Sequence, residues 1–326
     1  MAPPTVYQCP SCELRFATRN ELLDHVAVDH PAPVEDDLPP RRDARGLVTV
    51  PVDPGRPPGP ALATAVALAA AAGCAIGVVA APVPGIPDPS PYLAARHREL
   101  ARAGVVTVPP RVLAGDPADA VVADARASGT SLLCMATRAR GWLAEPLLGS
   151  VAAGVVHRSP VPVVLVGPSV RHPGARPRRM VVGIDGSDVA AAARRAASVL
   201  ASRLGTPVEL VRVAGTDGPV APGTVDEGDG VVVLRGRHPA RALAERAGPG
   251  GDVLVVVGSR RRTGLDRPGM GGVATGVARR ASGPVMVVPA GAQLDLDAPV
   301  VAGEETSPRG ATAARRGVDA SGEVAR

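Results

Sequence analysis

One stretch of the chain occurs twice, at 135–166 and again at 257–288. Both copies read as a strand end, an arginine-containing loop, a glycine-led turn into a helix, and a valine-rich strand preceded by proline. An alignment without gaps through the helix pairs Arg138 with Arg260, Gly149 with Gly271 and Val151 with Val273. Two such units, 122 residues apart, predict two domains of the same kind.

The turn into the helix has the properties of an anion site. In the first copy the chain enters the helix through Gly149 and Ser150. Free amide groups, a hydroxyl and the positive end of the helix dipole then meet at one place. The same sequence also suits an ordinary helix cap, and the local residues leave both interpretations open.

The chain has almost no aromatic residues, with two Tyr, one Phe and one Trp in 326 residues. Its cores must therefore be built from Val, Leu, Ala and Ile, and the valine-rich runs suit strands buried on both faces of a parallel sheet. Strands alternate with helices, which predicts an α/β fold with helices on both faces of the sheet. Ligands of such sheets bind beyond the carboxyl ends of the strands, where we expect Asp53 to face Gly149 and Ser150.

The sequence predicts the positions of several helices, strands and loops. In the first unit we expect a helix from about Pro60 to Ala72 and a strand at Val105–Val112. The charge-free run from Ala61 to Pro82 is interpreted as a helix and a strand, not as a membrane span. In the second unit Ser187 should cap the first helix, and a Gly- and Asp-rich loop at 215–230 replaces the second helix.

The predicted organisation has five parts. These are a small zinc finger at 5–31, a linker at 32–45, a first α/β domain at 46–168, a second at 178–290, and a disordered tail at 291–326.

The amino-terminal segment carries a zinc-type ligand set, formed by Cys9, Cys12, His25 and His30. Two thiolates two residues apart, then twelve residues, then two imidazoles on one helix face can close a tetrahedral zinc shell. The segment resembles a ββα Cys2His2 zinc finger, including its three apolar core positions at Tyr7, Phe16 and Leu22. We therefore expect a structural Zn²⁺ ion there.

The charge of this segment does not favour DNA binding. Residues 1–38 contain two arginines and seven acidic residues, a net charge of −5. By the resemblance, the base-contacting positions would be Thr18, Glu21 and Asp24, and two carboxylates would be repelled by DNA phosphates. We expect a structural or protein-contact role, with autonomous DNA binding as the less favoured alternative.

The two large units resemble the universal stress protein family. The resemblance rests on Val-Gly-Ile-Asp-Gly-Ser at 182–187, Gly-Asp-Pro-Ala-Asp-Ala at 115–120, and Gly-Ser-Val at 149–151 before a Pro-Val-Pro-Val-Val-Leu-Val strand. It implies a tandem of two five-stranded parallel Rossmann-like domains with strand order 3-2-1-4-5. It also implies that the last strands of the two domains pair, here as a pseudo-dimer within one chain.

The resemblance further implies an adenine-nucleotide site, with ATP as the ligand of one branch of the family. That branch has Gly, two residues, Gly, nine residues, then Gly-Ser or Gly-Thr. The matching positions are Ala136, Ala139, Gly149 and Ser150 in the first unit and Gly258, Arg261, Gly271 and Gly272 in the second. Both sites are altered: the first has alanine at both loop positions, and the second has Arg261 in place of a glycine and Gly272 in place of the hydroxyl residue. A Cβ where the family has glycine can block close backbone approach. The other implied contacts are Pro51, Asp53, Met135, Arg138 and Val151 in the first unit, and Asp185 and Arg260 in the second.

These features predict a cytoplasmic stress-response protein that binds an adenine nucleotide and contacts a protein partner through its zinc finger. The opening residues lack a basic start and an apolar core, so no secretory signal is expected. The alternative is a scaffold that binds no nucleotide. We predict no enzymatic role, although weak ATP hydrolysis is left open, as is assembly beyond the pseudo-dimer.

Overall fold

A computed structural model describes residues 44–56, 59–83, 85–137, 149–215, 230–260 and 272–300 of the chain. It also describes three two-residue strands, Tyr7–Gln8 (β1), Arg15–Phe16 (β2) and Val225–Asp226 (β10). β1 and β2 pair in an antiparallel hairpin, with Tyr7 opposite Phe16.

The first unit alternates strands and helices as its sequence predicts. Its strands are Leu47–Pro51 (β3), Ala75–Ala80 (β4), Arg111–Val112 (β5), Leu132–Ala136 (β6) and Val163–Val166 (β7). Its helices are Pro60–Ala72 (α1), Ser90–Arg102 (α2), Pro117–Ala127 (α3) and Ser150–Arg158 (α4). The bounds of α1 agree with the prediction, because proline suits the first helical position and Gly73 ends the helix with a φ of 69°.

The second unit repeats this plan with one helix fewer among the described residues. Its remaining strands are Arg179–Ile184 (β8), Val208–Ala214 (β9), Val231–Arg235 (β11), Val253–Ser259 (β12) and Val285–Pro289 (β13). Its helices are Asp188–Leu204 (α5), Pro239–Ala247 (α6) and Gly272–Arg280 (α7). Ser187 caps α5 by accepting the amide of Ala190, as predicted.

The described strands of both units form one sheet in the order β10-β11-β9-β8-β12-β13-β7-β6-β3-β4-β5. Within each unit the parallel strands follow the order 3-2-1-4-5 that the resemblance implies. The units join where β13 and β7 pair antiparallel, with Met286 opposite Val164. The short strand β10 pairs antiparallel with β11 and adds an edge that the sequence did not predict.

The strand predicted at Val105–Val112 is shorter in the structure. Only Arg111–Val112 forms a strand, and Thr107 makes an isolated bridge to Ile76. Pro109 and Pro110 lie between them, and proline cannot donate a hydrogen bond to a neighbouring strand.

The sheet carries a continuous hydrophobic core on each face. One core packs α1, α2 and α5 against the sheet, with Leu68 and Leu200 fully buried. The other packs α3, α4, α6 and α7, with Val155 and Val277 fully buried. Because each core contains residues of both units, the two units share their packing across the β7–β13 junction.

The predicted disordered tail begins too early. Residues 291–300 pack against the start of the first unit: Leu296 is buried, and Gly46 donates its amide to the Ala298 carbonyl at 2.9 Å. Arg203 of α5 pairs with Asp297. Ala292, Leu294 and Leu296 alternate with polar residues over five positions, which is the pattern of a half-buried extended segment and was missed because the run is short.

No helix in the described ranges is both long and apolar enough to cross a bilayer. The charge-free run that begins at Ala61 forms α1 and β4, as predicted.

Candidate functional site

A cavity of about 410 Å³ opens at the carboxyl ends of the strands of the first unit. Its described lining combines residues of β3, β4 and β6 with the starts of α1 and α4. Six predicted site residues line it together: Pro51, Asp53, Met135, Ala136, Gly149 and Val151. Ser150 is the first residue of α4 but is not among the lining residues. The predicted residues Arg138 and Ala139 lie outside the described residues.

The walls of the cavity are mainly aliphatic. The apolar side chains include Val50, Leu62, Val79, Leu113 and Val121, all from the hydrophobic core or its margin. Such a surface suits a flat or aliphatic ligand group, because burying it removes apolar area from water.

Asp53 places a carboxylate at the mouth of this cavity. Its Oδ1 accepts the amide of Gly55 at 3.1 Å, and its Oδ2 lies 3.6 Å from Nε of Arg56. The first contact fixes the carboxylate at the end of β3 in an Asx-type turn. The second joins side chains that are both partly exposed, so it contributes little to stability.

The start of α4 supplies the other polar end of the cavity. Gly149 precedes the helix with a φ of −59° and a ψ of 153°, and no side chain in the described structure caps the helix. Among the described residues, the first amides of α4 therefore have no side-chain acceptor, and they lie at the positive end of the helix dipole.

Three polar lining residues were not predicted: Arg56, Tyr92 and Thr137. The hydroxyl of Tyr92 donates to the carbonyl of Arg56 at 3.3 Å, so it positions the segment that leaves β3. Oγ1 of Thr137 is shielded from solvent and has no hydrogen-bond partner in the described structure, which is uncommon for a buried hydroxyl. Tyr92 could have been noticed as one of the few aromatics in the chain, but nothing in the local sequence marks Thr137.

The corresponding residues of the second unit also lie together. Nη2 of Arg260 lies 3.2 Å from Oδ2 of Asp185, so two of the residues that the resemblance implies for the second site form an ion pair. Hydrogen bonds from Ser187, chiefly from its hydroxyl, lower the pKa of Asp185 below its usual value. The Arg260 guanidinium acts in the same direction, and partial burial opposes it. Gly271 lies outside the described residues.

Gly258 has a packing role that the sequence did not reveal. A Cβ at this position would lie 2.5 Å from the carbonyl oxygen of Val189 and 2.6 Å from its carbonyl carbon. Both are backbone atoms of the first turn of α5. Only glycine therefore lets this turn approach the end of β12 so closely.

The predicted zinc ligands Cys9, Cys12, His25 and His30 lie outside the described residues. The β1–β2 hairpin flanks the two cysteines in the sequence, as a ββα finger requires. In the part of the chain that the structure does describe, no group of three or more His, Cys, Asp or Glu side chains could hold a metal ion.

Comparisons with known proteins identify the fold. A putative universal stress protein from Pseudomonas aeruginosa UCBPP-PA14 superposes with a TM-score of 0.56 at 16% identity, over 76% of this chain and 93% of that one. A universal stress protein from Archaeoglobus fulgidus DSM 4304 superposes with a TM-score of 0.53 at 20% identity, over 74% and 98%.

A search of curated proteins found no match. The model of the universal stress protein family matches residues 46–167 and 224–289, which lie in the two repeated units. This chain therefore belongs to the universal stress protein family.

Proposed function

We propose that the first unit binds an adenine nucleotide, and that the chain is a stress-response protein whose contacts with a partner depend on this binding. The observation that carries the proposal is the cavity at the carboxyl ends of the strands. Asp53 lines it, and so does the start of α4, which no side chain of the described residues caps.

The two kinds of surface in the cavity suit the two ends of a nucleotide. The aliphatic walls fit a purine ring, and the volume falls within the range typical of small-molecule sites. Asp53 can accept hydrogen bonds from ribose hydroxyls or hold a divalent cation. The first amides of α4 can receive phosphate oxygens, and the family resemblance implies Arg138 as a further phosphate contact.

The alanine at position 136 does not close this site. Ala136 is exposed and lines the cavity, so its methyl group forms part of the wall and leaves the volume open. The role proposed is binding and not catalysis, since the contacts of Asp53 with Gly55 and Arg56 suit a positioning group more than a general base.

The charge at the start of α4 provides a test. Aspartate and asparagine are both good helix caps of nearly equal size, and the φ and ψ of Gly149 are open to either. Gly149→Asp places a negative charge beside the phosphates, whereas Gly149→Asn does not. We expect calorimetry to show ATP binding at least about tenfold weaker with aspartate than with asparagine, a difference of about 1.4 kcal/mol.

A second pair of variants tests the Asp53 end of the proposed nucleotide site. Asp53→Asn should weaken binding of both ATP and AMP about tenfold or more, by removing a charged acceptor. Asp252→Asn is the matched control, because Asp252 precedes β12 at the amino end of the strands in the second unit. If the wild-type protein binds neither ATP nor AMP, the proposal is wrong and the scaffold alternative stands.

We propose that the amino-terminal segment is a structural zinc finger that contacts a protein partner. Two thiolates and two imidazoles are a donor set that suits tetrahedral Zn²⁺, and the β1–β2 hairpin is consistent with it. Metal analysis should find one zinc per chain, lost in Cys12→Ser. Binding to duplex DNA that falls steeply with salt and disappears in that variant would instead support the DNA-binding alternative.

We also propose a cytoplasmic location. Cys74 and Cys134 are free and buried, which suits a reducing compartment.

A further inference from the structure

One side of the sheet is covered differently in the two units. In the first unit α2 packs on β4, and its Leu93 and Leu100 are buried in the same core as Ile76 of β4. In the second unit the described residues between β9 and β11 form no helix. This side of β9 and β11 therefore has no counterpart of α2 among the described residues.

Equivalent positions of the two units can be compared through the pairing of their strands. Val48 pairs with Ile76 in the first unit, and Met180 pairs with Val208 in the second. Because these two pairs occupy the same place in the repeat, Val208 is the counterpart of Ile76. Ile76 is fully buried, whereas Val208 is 36% exposed.

Two further positions of β9 show the same contrast. Leu210 and Arg212 follow Val208 at intervals of two residues, so they lie on the same face of the strand. Their counterparts in β4 are Val78 and Ala80, both buried. Leu210 is only half-buried, and Arg212 is exposed. A face that belongs to the core in the first unit is therefore surface in the second.

This uncovered face combines apolar and basic side chains. It is formed by four residues of β9 and β11: Val208, Leu210, Arg212 and Val233. Within the described part of these two strands, no acidic residue lies on this side of the sheet. α5 packs on the same side and exposes Arg194 and Arg195. Such a surface suits an acidic partner that has apolar side chains of its own.

The amino-terminal segment of the same chain has the complementary composition. Residues 1–38 have a net charge of −5. Beyond the three apolar positions that a finger core needs, they include Leu14, Leu23, Val26 and Val28. A second copy of the uncovered face would instead bring arginines against arginines. The loop at 215–230 is also acidic, but β10 pairs it with the outer edge of β11, away from β9.

The linker is long enough to bring this segment to the uncovered face. Twelve residues, 32–43, separate the predicted finger from the start of the first unit. Fully extended, they span up to about 40 Å. β3 and β9 are six strand intervals apart in the sheet, which is about 29 Å at the usual strand spacing. Attachment to the same chain also raises the local concentration of the segment to about the millimolar range.

We propose that the amino-terminal segment, residues 1–38, docks on the uncovered face of the second unit, where it takes the place that α2 has in the first. Its acidic side chains face Arg212, and its apolar side chains cover Val208 and Leu210. The inference goes beyond the proposed function, because it assigns the segment a binding surface within its own chain. It rests on neither nucleotide binding nor a bound zinc ion.

The lack of lysine in the sequence allows a direct test. In the full-length variant Arg212→Lys, a carbodiimide can join carboxylates only to the new side chain or to the amino terminus. We expect mass spectrometry of the monomeric product to find cross-links between the new side chain and the carboxylates of residues 13–37. Arg280→Lys is the matched control, because Arg280 is exposed at the end of α7 on the opposite side of the sheet. This control should give no cross-link to residues 13–37.

The other possible products would each overturn the proposal. Cross-links between two chains would identify a second copy as the occupant of the uncovered face. Cross-links confined to the loop at 215–230 or to the tail after residue 300 would show that another segment covers it. Equal cross-linking of residues 13–37 in the two variants, or none in either, would show that the segment does not dock there.

A charge added to the uncovered face provides a second test. Val208→Glu, introduced together with Arg212→Lys, should lower the yield of these cross-links at least fivefold, because it repels the acidic segment. Val112→Glu is the matched control, since Val112 is an exposed strand valine that pairs with Ala80 on the same side of the first unit. This control should leave the yield unchanged. Equal yields with the two glutamate substitutions would overturn the proposal.

Discussion

Gly258→Ala tests the close contact between the end of β12 and the first turn of α5. The added Cβ would lie 2.5 Å from the carbonyl oxygen of Val189, about 1 Å inside the usual contact distance of such atoms. Because the neighbouring atoms are backbone atoms of α5, they cannot move away as a flexible side chain could. The helix turn must shift as a unit, or β12 must bend.

Two opposing effects determine the expected change in the free energy of unfolding. Forcing a methyl group into a packed position typically costs about 1–3 kcal/mol. Replacing glycine by alanine in a strand stabilises the folded state by about 0.5–1 kcal/mol, because glycine loses more conformational freedom on folding. We therefore expect Gly258→Ala to lower the free energy of unfolding by about 1–2 kcal/mol in urea titrations monitored by circular dichroism.

The equivalent position of the first unit provides the control. Ala136→Gly reverses the same chemical change where the described lining leaves open space, and should cost no more than about 1 kcal/mol, from glycine entropy alone. A Gly258→Ala protein as stable as the wild type would refute the reasoning.

Three further predictions concern other parts of the described structure. Ser187→Ala removes the main hydrogen bond that lowers the pKa of Asp185, so this pKa should rise in an NMR titration. A lowered pKa adds stability that is present above the pKa of the unfolded chain and is lost as pH falls through the folded value, so the variant should lose less stability on acidification than the wild type. Leu296→Ala should cost about 2–5 kcal/mol in a urea titration, as for a core leucine, whereas a disordered tail would give no change. Burial raises the pKa of Cys74 to about 11 and that of Cys134 further, so neither thiol of the folded protein should react with a disulfide reagent at pH 8 until urea unfolds the chain.

The parts of the fold that follow from local chemistry were predictable from the sequence. Pro60 and Gly73 mark the ends of α1, Ser187 marks the start of α5, and valine-rich runs mark the buried strands. The strand order came from the family resemblance and not from any pattern in the residues. The sequence also placed Asp53 and Gly149 at one edge of the sheet, and the cavity joins them.

The parts that depend on contacts between distant segments were not predictable. Gly258 and Val189 are 69 positions apart, and only the folded chain shows that the glycine serves helix packing. The alanine at position 136 was interpreted as damage to a ligand site for the same reason. The structure shows instead that Ala136 is exposed and forms part of the cavity wall.

α1 has 13 residues and its counterpart α5 has 17, so the helix of the first unit is about one turn shorter. The duplication explains how this unit can keep the fold with a shorter helix. A turn of four residues carries up to four backbone hydrogen bonds, each with a net value of about 1 kcal/mol, so its loss costs a few kcal/mol at most. The first unit does not bear this cost alone, because β7 pairs with β13 and one core contains residues of both α1 and α5. Each fully buried leucine of that core contributes about 2–3 kcal/mol, so a few shared side chains offset the missing turn. The second unit keeps the longer helix and its close contact at Gly258, while in the first unit Ala136, the counterpart of Gly258, lines the cavity.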